Sequence, residues 1–142
     1  MDSLTQIVLG AAVGEAVLGK KIGNWAIFWG AIAGTVPDFD VFLSYFTDNI
    51  TALHMHRGFT HSFIFSVLFG LIFGFLAHKI HKHLSATWKE WSLLFFLGFL
   101  THALLDAHTT WGTQLFWPIG YKVAFKNIFV IDPLYTLPFL FF

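Results

Sequence analysis

The chain contains no cysteine. It therefore has no disulfides, no thiolate metal ligands and no thiol redox chemistry. Charge is scarce as well. Only 11% of its 142 residues are Asp, Glu, Lys or Arg, where a soluble domain carries about 25%. Eight basic side chains balance eight acidic ones, and no clustered basic face points to nucleic acid. The opening Met1-Asp2-Ser3-Leu4 lacks a positive n-region, which predicts a first helix that stays in place and not a cleaved signal peptide.

What is abundant is apolar. Hydrophobic residues make up 56% of the chain and aromatics 20%, which places it in the membrane class. Leu4 to Leu18 is the first apolar segment. Its Gly10-Ala11-Ala12-Val13-Gly14 stretch lets another helix approach closely. Trp25 to Phe46 is the second, with Pro37 predicting a break and pushing Val36 away from helical geometry. His61 to His78 is the third and Trp91 to Asp106 the fourth. Ala107 to Asn127 reads as a long loop, and Ile128 to Phe142 starts a further apolar run. Spans need about 20 residues, so each is near the lower limit. The expected fold is an all-α, polytopic transmembrane bundle of about four to five segments, one domain over residues 1–142. The short final run favours an N-terminal portion of a longer protein.

Polar groups are costly in such a chain, so they mark function by default. His54-Met55-His56-Arg57-Gly58-Phe59-Thr60-His61 packs three imidazoles and a guanidinium into eight residues. Asp38 and Asp40 flank the Pro37 break, and His102 and Asp106 share a helix face at i, i+4. The loops holding Lys20, Lys21, Lys79, Lys82 and Lys89 fall on one side, which the positive-inside rule makes cytoplasmic. Parity then puts Asp38, Asp40, His56, His61, His102 and Asp106 near the opposite face, at similar depth. Thr5 and Gln6 reach that depth too, whereas Glu15 sits nearer the lysines. The His78, His81 and His83 group reads as a solvated helix end.

Imidazole with carboxylate and no thiolate suits a divalent metal: Zn²⁺ first, with Mn²⁺ or Fe²⁺ as alternatives. His56, His61, His102, Asp106 and Asp38 are the candidate ligands. Asp38 or Asp40 would serve as general base, and Arg57 would hold an anionic group such as phosphate. The same residues also suit a protein that binds or transports metal ions or protons without hydrolysis. A hydrogen-bonded polar network without metal is the third reading.

In their order along the chain, Met1-Asp2-Ser3-Leu4-Thr5-Gln6, Gly10 to Glu15, Pro37-Asp38-Phe39-Asp40, His56-Arg57-Gly58-Phe59-Thr60-His61-Ser62, His102-Ala103-Leu104-Leu105-Asp106 and Trp111-Gly112-Thr113-Gln114 resemble the bacterial family of predicted membrane-bound metal-dependent hydrolases. That family is also described as LexA-binding and inner-membrane-associated. The resemblance implies a multi-pass protein of the bacterial inner membrane. It implies a bilayer partner, a small-molecule or lipid-linked substrate, no nucleic acid, and a LexA-type partner. It also implies a site made of Asp38, Asp40, His56, Arg57, His61, His102 and Asp106. Many relatives place a His where this chain has Gln6, so one ligand is lost or Glu15 replaces it.

Overall fold

A computed structural model describes residues 2–39 and 58–127. Asp40, His54, His56, Arg57 and the apolar run 128–142 lie outside the described residues. Within them are four α-helices and no strand: α1 (Ser3–Ile22), α2 (Asn24–Thr35), α3 (Phe63–Ile80) and α4 (Trp88–Ala107). Two of these, α3 and α4, are long and apolar enough to cross a membrane. That is fewer than the four to five expected. The 12 residues of α2 are shorter than the about 20 a span needs. Gln6, Glu15, Lys20 and Lys21 dilute α1.

Each helix starts and stops for a local reason. Asp2 caps α1 by accepting from the Thr5 amide at 2.9 Å. Ser62 caps α3 through the Phe65 amide. Thr87 and Glu90 form a reciprocal capping box at the start of α4. After α2 the chain tightens into a 3₁₀ turn over residues 36–39. Val36 keeps helical angles, φ −56° and ψ −42°, against the expectation for a residue before proline. Proline disfavours that geometry but does not forbid it, and here the tighter turn absorbs the crowding.

Packing follows small residues. A Cβ on Gly10 or Gly14 of α1 would run into the backbone of Gly30 or Ala26 on α2, and one on Gly34 into Gln6. The expected close approach at Gly10 and Gly14 is met by a matching pair, Gly30 and Gly34. Helix α3 repeats the device: it buries Ser66, Gly70, Gly74 and Ala77, with Gly70 against Phe96 and Gly74 against Ser92 of α4. Its outward face carries Phe63, Ile64, Leu68, Leu71, Ile72, Phe75 and Leu76, all exposed. Small residues inside and large apolar ones outside is the arrangement of helices solvated by lipid.

Helix α4 is the hub, burying Trp91, Leu94, Phe95, Phe99 and His102. At one end of the bundle Lys21 pairs with Glu90. There His81 is only 7% exposed, so the solvated reading is wrong for this residue. Its ring packs against Trp25, Trp29 and Trp91, and the Trp29 indole N–H donates to Nε2 at 3.1 Å. Burial, then the neighbouring His83, hold the imidazole below its ordinary value of 6.5.

At the opposite end the expected long loop is a folded hairpin. Thr113 and Val123 form an isolated antiparallel bridge. The Phe125 amide donates to the Ala107 carbonyl and the Phe63 amide to the Leu115 carbonyl. The hairpin is thus tied to the end of α4 and the start of α3.

Candidate metal centre

Four side chains from four places in the chain meet at the hairpin end. Asp38 comes from the 3₁₀ turn after α2. His61 ends a second 3₁₀ turn, Phe59–His61, just before α3. His102 and Asp106 lie on the last two turns of α4. One ligand atom from each falls within 4.8 Å of all the others.

The geometry is closer than that bound. The two Nε2 atoms of His61 and His102 stand 3.1 Å apart. Asp38 Oδ1 is 3.5 Å from His61 Nε2 and 3.4 Å from His102 Nε2. Asp106 Oδ2 is 3.5 Å from His61 Nε2. Ligands about 2.0–2.1 Å from a tetrahedral ion stand about 3.3 Å from one another. Two imidazoles and two carboxylates also bring two negative charges, which a divalent cation balances. The residues present fit a Zn²⁺, Mn²⁺ or Fe²⁺ ion.

The surroundings aim the ligands. His102 Nδ1 lies 2.7 Å from the Gly34 carbonyl. A carbonyl only accepts, so Nδ1 carries a proton and Nε2 is the nitrogen that faces the cluster. Gly34 lets α1 and α2 touch, and that contact sets where this carbonyl lies. His61 Nδ1 is 3.0 Å from the Thr60 hydroxyl. Gln6 donates from Nε2 to Asp106 Oδ1 at 3.0 Å, and the Thr109 hydroxyl donates to the Asp106 carbonyl. Gln6 Oε1 is buried without a hydrogen-bond partner. His61, His102 and Asp106 have fully buried side chains, whereas the Asp38 side chain is 25% exposed. Asp38 is therefore the accessible side of the cluster.

Of the expected site residues, the structure joins Asp38, His61, His102 and Asp106. Asp40, His56 and Arg57 lie outside the described residues. Glu15 is exposed and stands apart from the cluster, while Gln6 is in it. The Gly34 carbonyl and Thr60 had no sequence signal beyond their neighbours, because backbone groups and lone hydroxyls occur everywhere. Gln6 was visible only as a polar residue at the right depth.

The sequence model of the family described as "YdjM inner membrane protein" matches residues 1–142. The chain belongs to this family. The "Inner membrane protein YbcI" of Escherichia coli (strain K12) is 30% identical over 114 residues, covering 80% of this chain and 64% of the relative. The "Uncharacterized protein YfhP" of Bacillus subtilis (strain 168) is 33% identical over 147 residues, covering 94% of this chain and 42% of the relative. The chain thus spans between two fifths and two thirds of the length of these relatives. No solved structure matches. Membership of the YdjM family makes this an inner-membrane protein. Hydrolysis and LexA binding are no part of the family description.

Proposed function

We propose that the chain is a metal-dependent hydrolase of the inner membrane, acting on a phosphoester or lipid-linked substrate. The carrying observation is the convergence of Asp38, His61, His102 and Asp106 at ligand-to-ligand distances of 3.1–3.5 Å for four pairs. Asp38, His61, His102 and Asp106 would hold a divalent cation, which would supply Lewis-acid chemistry toward water and a phosphoryl oxygen. The residues supply the rest. His61 and His102 present their Nε2 atoms, and the Gly34 carbonyl orients the ring of the second. Gln6, donating to Oδ1, keeps the Asp106 carboxylate from rotating. Asp38, on the accessible side, would take a proton from an entering water. An apolar groove of about 250 Å³, lined by Ile7, Phe28, Thr35, Val36 and Phe39 among others, shares Val36 and Phe39 with the 3₁₀ turn that carries Asp38 and suits an acyl chain.

Elemental analysis of the detergent-purified protein tests this, followed by phosphoester turnover. One or two zinc, manganese or iron ions per chain are expected, lost in His61→Ala and in Asp106→Ala together with turnover. Full activity in either variant, with the helices intact, would refute hydrolysis. Bound metal that crosses proteoliposome membranes without any turnover would favour transport.

A further inference from the structure

The hairpin that closes the metal end has a face the site does not use. Residues 107–127 contain Lys122, Lys126 and His108 but no Asp or Glu. Trp111 is 60% exposed, Phe116 60%, Ile119 80%, Tyr121 70% and Phe125 59%. Both lysines are exposed as well. A stretch this apolar is unusual on a surface bathed by water, and it lies within 20 residues of chain.

Its position says what covers it. Helix α4 has 20 residues, about 30 Å at 1.5 Å per residue, which matches the hydrocarbon thickness. The hairpin starts where that helix ends, and the Phe63 amide pins it to the start of α3. It therefore stands at the depth where a bilayer changes from acyl chain to headgroup. Tryptophan and tyrosine concentrate at that depth because the ring is apolar and its N–H or O–H is polar. Lysine side chains reach from it toward phosphate.

We propose that the hairpin is an interfacial anchor. Its exposed aromatic tip lies in the headgroup boundary, and Lys122 and Lys126 bind anionic phospholipid headgroups. The absence of any carboxylate between residues 107 and 127 gives the charge complementarity. The anchor is stiff, because the Thr113–Val123 bridge and the Phe125–Ala107 bond fix it to α4. It also touches the site: Trp117 packs edge-on against Phe59, ring centroids 5.1 Å apart, two residues from His61. Lipid contact thus sets the depth of the metal end. None of this depends on whether the centre hydrolyses anything.

The chain's lack of cysteine makes the test direct. Ile119→Cys and Tyr121→Cys, each labelled with an environment-sensitive fluorophore, are placed in vesicles of phosphatidylcholine with or without phosphatidylglycerol. Folding is checked by circular dichroism and gel filtration. With phosphatidylglycerol, spin-labelled lipid should lower emission about twofold at both positions while aqueous iodide does little. Adding Lys122→Glu and Lys126→Glu should remove about half of that protection with the anionic lipid and none without it. Strong iodide quenching with no lipid quenching would overturn the anchor. Protection from both quenchers would overturn it too, showing a protein cover from elsewhere in the chain or a second copy. Equal protection in both lipids would overturn the headgroup assignment.

Discussion

The two ends of the bundle each bury histidine, and they use it in opposite ways. At the metal end the Nε2 atoms of His61 and His102 face two carboxylates, and a hydroxyl and a carbonyl occupy the far sides of the rings. At the other end Nε2 of His81 is taken by the Trp29 indole, Nδ1 has no partner, and tryptophans wrap the ring. The first arrangement turns both Nε2 atoms toward a point that a cation would fill. The second consumes the lone pair in an internal bond and leaves the ring as a packing element. A histidine becomes a ligand or a wedge according to what its other nitrogen meets, not by being one of a cluster.

Three changes would sharpen that contrast. The largest effect is expected for Trp91→Ala, since Trp91 is fully buried. It should cost about 3–5 kcal/mol by denaturant unfolding in detergent, with ion content unchanged. Loss of the ion at full stability would show the two ends to be one unit. Next is Gln6→Leu, of similar volume. It removes the donor on Asp106, and ion affinity by competitive chelation should fall about tenfold, the usual scale for a residue that orients a ligand. The smallest effect concerns pH. Because the folded state holds His81 neutral, its contribution is complete above about 6.5 and is lost as pH falls below it, where the unfolded imidazole takes the proton more readily. Unfolding midpoints measured in chelator from pH 8 to 5 should fall, and His81→Phe should flatten that slope. An unchanged slope would assign the acid sensitivity elsewhere.

Much of the helical order was legible. The break at Pro37, the glycines of α1 and the parity that sends Asp38, His61, His102 and Asp106 to one end all follow from spacing. Three things were not. The sequence does not show that α2 ends at Thr35 and tightens into a 3₁₀ turn, because Pro37 marks a break without fixing the last helical residue. His81 resembled its solvated neighbours, since the partners that bury it lie on α2 and α4. Gln6 could be assigned a depth but not a role, which depends on an amide meeting a carboxylate 100 positions away.

The ligands also arrive in sequence as the chain is made. Asp38 emerges first, then His61, and only with the end of α4 do His102 and Asp106 follow. A chain synthesised through α3 holds two of the four donors, with the Gly34 carbonyl waiting for a ring 68 residues later. The full donor set therefore exists only at the last step of assembly. An ion held by all four donors would close a bundle whose helices have already paired, and would take no part in guiding them together.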